Sequence, residues 1–518
     1  MTAASAVRPA RRLRTADRAP WWLLAPAAFA AVVALLPVWY LLVRAGSPAD
    51  VAEELLSTGT ARLIARSAML TATVTALATG IGVAAAWLVS RSDLPGRRIW
   101  QVGLVLPLAV PSYISAFAWL GVAPGLSGFP GAVLVLTLTT FPYVFTPTLA
   151  ALHRLDPALE EVAAALGRSR GSIAGSVTLR QVRTSIAAGA LLVALYVLSD
   201  FGAVAAMRFE VFTWVIYGAY RSGFDPTRAA VLSLLLVAAA AALVVAESRA
   251  RGRATAQLGA RVGRRGYRVR LGRATGPAIA GLSAVLVASL GVPLAVIGYW
   301  LAAGTPDELD AGAFASALLA TLRLSALAAV ACIALAVPVG VLAARYRGAS
   351  AHLLERATYV GHALPGIVVA IAMVYVGVRL LRPIYQQAPL LILAYVVLFL
   401  PLAVGAVRAA VEHCPVRAEE VSRSLGLSRW TTLRRVTLPL AAPGIVAGAA
   451  MVFLTTMKEL PATLLLHPTG TETLATMLWR YLLVSDYSAA APFAALILVG
   501  AALPALAVSQ IGAAGGRR

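Results

Sequence analysis

The sequence predicts an all-α polytopic membrane protein of about twelve transmembrane helices, arranged as two parallel six-helix repeats. Three observations predict it. Of 518 residues, 60% are hydrophobic and 13% charged, with a mean hydropathy of +0.82; soluble domains average about 45–50% and about 25%. The apolar residues gather into roughly twelve runs near twenty residues long, enough to cross a hydrocarbon core of about 30 Å. A signature in the first half also recurs 259 positions later, half of the chain length.

The runs are 21–43, 67–89, 99–121, 131–151, 185–206, 228–247, 277–300, 316–344, 358–380, 389–411, 441–466 and 488–511. Glycine and proline inside several of them are tolerated in membrane helices. The first run follows an arginine-rich stretch, as a signal peptide would. Its 23 residues exceed a signal-peptide core of about 7–15, so it reads as an uncleaved span.

Charge sets the orientation. The formal charge is +22, and Lys458 is the only lysine. The arginines sit between apolar runs, the pattern of membrane topology and not of a nucleic-acid groove. With the N-terminus inside, the inner segments hold 32 basic residues and the outer ones 8. That asymmetry places both termini in the cytoplasm. Cys332 and Cys414 lie in unrelated segments, which argues against a disulfide or a cysteine metal site.

Two inner loops, 152–184 and 412–440, resemble each other. The first reads Glu160-Glu161-Val162 through Leu166-Gly167 to Val177-Thr178-Leu179. The second reads Glu419-Glu420-Val421 through Leu425-Gly426 to Val436-Thr437-Leu438-Pro439. Six spans per half is an even number, so the repeats run parallel about an axis along the membrane normal. The halves are 1–247 and 274–518. Residues 248–273 join them as a cytoplasmic linker with nine arginines, five glycines and no acidic residue, suited to lie on anionic lipid.

Each loop predicts a helix, a turn and a second short helix. In the first, Asp156-Pro157 opens a helix over 155–166. Gly167 ends it, because glycine takes the left-handed conformation, and the second helix starts near Ser169.

These loops resemble the EAA loop of ABC-importer permeases. The second matches at Glu420, Gly426, Val436, Leu438 and Pro439, and the first at Glu161, Ala163, Gly167, Val177 and Leu179. Arg180 stands where the pattern has proline. The resemblance covers essentially the whole chain. It implies a type I importer permease without a cofactor, working with two copies of an ABC ATPase and an extracytoplasmic binding protein in a bacterial plasma membrane. Glu161, Gly167, Glu420 and Gly426 would then couple to the ATPase.

Ser199-Asp200-Phe201-Gly202 and Lys458-Glu459-Leu460-Pro461 are further similar to fused ferric-iron permeases. The wider group also takes thiamine, sulfate, polyamines and phosphonates.

Asp200 lies about 15 residues, or about 22 Å, into the fifth run. Glu459 is its equivalent in the eleventh. Charges inside a membrane face a cavity or a partner. The pair therefore reads as lining the translocation path, with oxygens suited to a hard cation. The alternatives are a helix cap or an ion pair, of Glu459 with Lys458 or of either acid with Arg323. The five histidines are scattered and outline no metal site. Tyr217, Tyr220, Tyr481 and Tyr487 read as interfacial anchors.

A nucleotide-binding P-loop needs lysine followed by serine or threonine. Lys458 precedes Glu459, so ATP hydrolysis falls to another subunit. Two rival readings remain. A secondary transporter with two six-span halves gives no reason for the paired loops. A membrane-embedded enzyme lacks any clustered catalytic motif.

Overall fold

Each apolar run coincides with a helical segment. The computed structural model describes residues 19–155, 158–221, 225–257, 269–304, 311–346 and 348–514. In chain order the elements that matter below are α1 (Trp21–Arg44), α2 (Thr58–Arg91), α3 (Ser112–Val122), α4 (Gly128–Arg154), α5 (Ala158–Ala165), α6 (Gly171–Ser199), α7 (Gly202–Ala206), α8 (Pro226–Gln257) and α9 (Gly272–Ala303). The second half continues with α10 (Ala311–Arg345), α11 (Gly366–Arg379), α12 (Ala388–His413), α13 (Val416–Ser424), α14 (Arg429–Met457), α15 (Pro461–Leu466) and α16 (Tyr487–Ala514).

Among the described residues, nine helices are each long and apolar enough to cross a membrane. The third run is a bent pair, in which Arg97–Ala109 meets α3 at 94° beside Pro111. Proline has no amide proton to continue a helix, and it disfavours helical backbone in the residue before it. The shorter apolar helices α11 and Tyr487–Ala501 account for the remaining two runs.

The fifth and eleventh runs differ from expectation at both ends. Their helices start in the loops, at Gly171 and Arg429, and break before Asp200 and at Lys458. A single π-helical turn, 174–178 and 433–437, carries each loop straight into its span. The expected second loop helix is therefore the extension of the membrane helix.

Packing joins the halves. α1 packs against α10, α11 and α12 of the second half, while α9 packs against α3 of the first. One core joins the first half, with Phe141, Phe145 and Val193, to Leu282 of α9. A second unites Leu23, Ala27 and Ala30 of α1 with the second half. A third lies across the seam, with Tyr113, Phe117 and Phe201 against Ile367, Leu460 and Trp479. Small residues allow close approach where lipid gives helices no hydrophobic drive to associate. A Cβ at Gly340 or Gly448 would come within 2.7 Å of Val407 or 2.6 Å of Ala406.

Of the linker, α8 extends to Gln257, and residues 258–268 lie outside those described. Its far end is stitched to the turn after α2. The Val269 amide donates to the Arg91 carbonyl at 2.8 Å, and the Leu271 amide to Asp93 Oδ1 at 2.9 Å.

Candidate functional site: paired loops and broken spans

Both loop helices stop by the same device. The Gly167 amide donates to the Ala164 carbonyl and the Arg168 amide to that of Ala163; Gly426 and Leu427 repeat this with Arg423 and Ser422. These paired bonds satisfy the last carbonyls of each helix. They require left-handed backbone at the glycine, with φ of 75° at Gly167 and 82° at Gly426. Neither position is crowded, so conformation alone selects glycine. The expected Asp156-Pro157 opening lies outside the described residues.

Each loop is pinned to the membrane helices by the first glutamate of its pair. Glu160 is buried, accepts from the Thr178 hydroxyl at 2.8 Å and pairs with Arg91 at 3.4 Å. Glu419 accepts from Thr437 at 3.0 Å and from Arg345 through Nε at 2.9 Å and Nη2 at 2.8 Å. Arg345 also donates to the Cys414 carbonyl at 3.2 Å. The π turn, a feature common at functional sites, contains each threonine of the clamp. Burial pushes the Cys414 thiol above its ordinary range, with Arg345 opposing and Glu419 adding.

The second glutamates face outward. Glu161 and Glu420 are exposed, beside the exposed Val162 and Leu166 in one loop and Val421 and Leu425 in the other. An exposed apolar face with a matched acid, repeated twice, suits a partner protein.

The breaks in α6 and α14 hold the other two candidates. Asp200 accepts from the Ala203 amide at 2.9 Å, the Val204 amide at 3.4 Å and the Ser112 hydroxyl. Glu459 accepts from the Ala462 amide at 2.9 Å, the Thr463 amide at 3.0 Å and the Thr463 hydroxyl at 2.9 Å. Each acid thus satisfies orphan amides at the start of α7 or α15. The halves differ in how they fill the space beside the acid. Asp200 meets Ser112, whereas a Cβ at Gly366 would sit 3.2 Å from the longer Glu459.

The breaks meet at the seam. The Tyr113 hydroxyl donates to the Lys458 carbonyl at 3.3 Å, and Phe201 packs against Trp479 with ring centroids 5.7 Å apart. Tyr217, expected as an interfacial anchor, is buried instead, stacked on Trp214. Arg323 is exposed on α10. Among the described residues no three His, Cys, Asp or Glu side chains cluster to hold a metal.

Sequence reasoning missed Glu160, Glu419, Arg91, Arg345, Thr178 and Thr437. The doubled glutamates and the repeated Val-Thr-Leu were a usable signal, as was an arginine closing the second helix of each half.

A family model described as "Binding-protein-dependent transport system inner membrane component" matches residues 78–248 and 336–513. The chain is 33% identical over 495 residues to the Fe(3+)-transport system permease protein FbpB 2 of Haemophilus influenzae, across 94% of this chain and 97% of that one. It is 30% identical over 246 residues to the molybdenum transport system permease protein ModB of Mycobacterium tuberculosis, across 45% of this chain and 91% of that one. Identity to the sulfate transport system permease protein CysW of a Synechocystis species is 28% over 146 residues, across 25% of this chain and 53% of that one.

Proposed function

The chain belongs to the family of binding-protein-dependent transport system inner membrane components, and within it we propose a ferric-iron importer whose two permease halves are fused. The observation that carries the substrate is the near end-to-end similarity to an Fe(3+)-transport permease, against partial matches to molybdenum and sulfate permeases. Residues 1–247 and 274–518 are the halves, tied by the linker 248–273. An extracytoplasmic binding protein delivers cargo, and two copies of an ATPase take one loop each. The test is uptake of radioactive iron into proteoliposomes holding the chain, its ATPase and its binding protein. Iron uptake that exceeds molybdate and sulfate uptake supports the substrate; the reverse order overturns it.

Coupling runs through the loops. Glu161 and Glu420, with the apolar residues beside them, form the face offered to the ATPase, and the turns at Gly167 and Gly426 set its angle. Left-handed backbone is a genuine outlier for β-branched residues. Gly426→Val is therefore expected to cut ATP-driven uptake by about tenfold or more, a coupling loss of about 1.4 kcal/mol or greater. ATP hydrolysis by the complex continues. Wild-type uptake in both Gly167→Val and Gly426→Val would contradict the assignment.

Both termini and the linker lie in the cytoplasm. A reporter enzyme inserted in 258–268 is expected to read as cytoplasmic; an external reading would overturn the topology.

The path runs along the seam, bordered by Asp200 on one side and Glu459 on the other. Their caps hold the two breaks, α6 to α7 and α14 to α15, in register with each other.

A further inference from the structure

The charge left for the cargo at the seam is a cation. Asp200 and Glu459 are each engaged by three donors, two of them backbone amides. Lys458 stands beside them, at the break between α14 and α15. Its carbonyl is held from the other half by Tyr113, which fixes its place at the seam. Its side chain is neither buried nor fully exposed, and among the described residues no hydrogen bond or ion pair engages its ammonium. The equivalent position in the first half is Ser199, so the cation is single.

An ammonium within membrane helices is costly, and it persists where it pairs or meets water in a cavity. Here, among the described residues, no partner engages it, and its backbone is held at the seam between the halves. Water between the halves, where a two-half transporter binds its cargo, is then what the partly exposed side chain would meet.

We infer that Lys458 is a binding site for an anionic group of the cargo. An importer of ferric iron, the reading on which this rests, then moves the metal wrapped in oxyanion ligands. A bare trivalent cation would be repelled by Lys458, while the two nearby carboxylates are already occupied by amides. A hard metal ion accepts oxyanion ligands readily, and the ammonium recognises the negative charge they leave outermost.

Two measurements on the assembled complex of chain, ATPase and binding protein test this. In the first, Lys458→Cys is treated in membranes with a charged, membrane-impermeant methanethiosulfonate. The native Cys332 and Cys414 are both buried and give little background. Labelling of the introduced thiol is expected; an unlabelled thiol in an assembled complex overturns the aqueous site. In the second, uptake is compared for Lys458→Arg and Lys458→Met. The arginine variant is expected to stay within about threefold of wild type and the methionine variant to fall by about tenfold or more, as for loss of a charge-assisted contact. Wild-type uptake in Lys458→Met, or equal loss in both variants, overturns the site. If the wild-type complex carries no iron, the ferric reading fails by itself. The same variants are then read with sulfate and molybdate as probes, and the labelling result is unaffected.

Discussion

Replacing Glu419 with alanine is expected to destabilise the protein by about 3 kcal/mol, the lower end of the cost of leaving one member of a buried ion pair alone, because this pair is only partly buried. Arg345 would keep only the Cys414 carbonyl, and Thr437 would lose its acceptor. The neighbouring Glu420→Ala removes an exposed side chain and should change stability by no more than about 0.5 kcal/mol. The functional effects should invert: Glu420→Ala is expected to lower ATP-driven uptake with the protein at its normal membrane level. Thermal unfolding in detergent, beside uptake at matched protein level, separates the two. Pairing Glu419→Ala with Arg345→Met should restore part of the loss, because the double change leaves no orphan charge. The first loop should show the same order more weakly, since Arg91 holds Glu160 at 3.4 Å where Arg345 makes two bonds under 3.0 Å. Equal stability of the Glu419 and Glu420 variants would refute the division of labour.

That division also marks how far the sequence could be read. The runs were legible because a bilayer imposes a length and a composition on any helix that crosses it. Gly167 and Gly426 were legible because a helix end needs left-handed backbone, which is a local matter. Which glutamate of each doublet turns inward was not, since adjacent residues on a helix face different ways and only the position of Arg91 or Arg345 decides. The spans at 185–206 and 441–466 were misjudged at both ends for a related reason. Hydropathy sees the apolar stretch, but the π turn that fuses loop to span and the break at Asp200 or Lys458 are set by hydrogen bonds. Tyr217 borders an outer segment, which by sequence predicts an interfacial anchor; the aromatic packing that buries it comes from Phe201 and Trp214.

At the breaks, geometry and charge can be separated by choice of substitution. Asparagine caps a helix as well as aspartate does, while alanine forfeits about 0.5–2 kcal/mol. Asp200→Asn keeps an oxygen for the Ala203 and Val204 amides, loses the charge and leaves Ser112 to accept where it donated; Asp200→Ala loses the bonds as well. Glu459→Gln keeps an oxygen for only one of its two amides, because Ala462 donates to Oε1 and Thr463 to Oε2, and Glu459→Ala loses both. If the carboxylates border the path by holding α7 and α15 in place, Asp200→Asn should transport within about threefold of wild type, the alanine variants about tenfold or more below it, and Glu459→Gln between the two. The double alanine variant should fall short of the summed losses, because both breaks meet at one seam beside Tyr113 and Phe201. Uptake at matched membrane level is the measurement. Should Asp200→Asn lose as much as Asp200→Ala, the carboxylate charge itself acts on the cargo. Lys458 would then share the path with an acid.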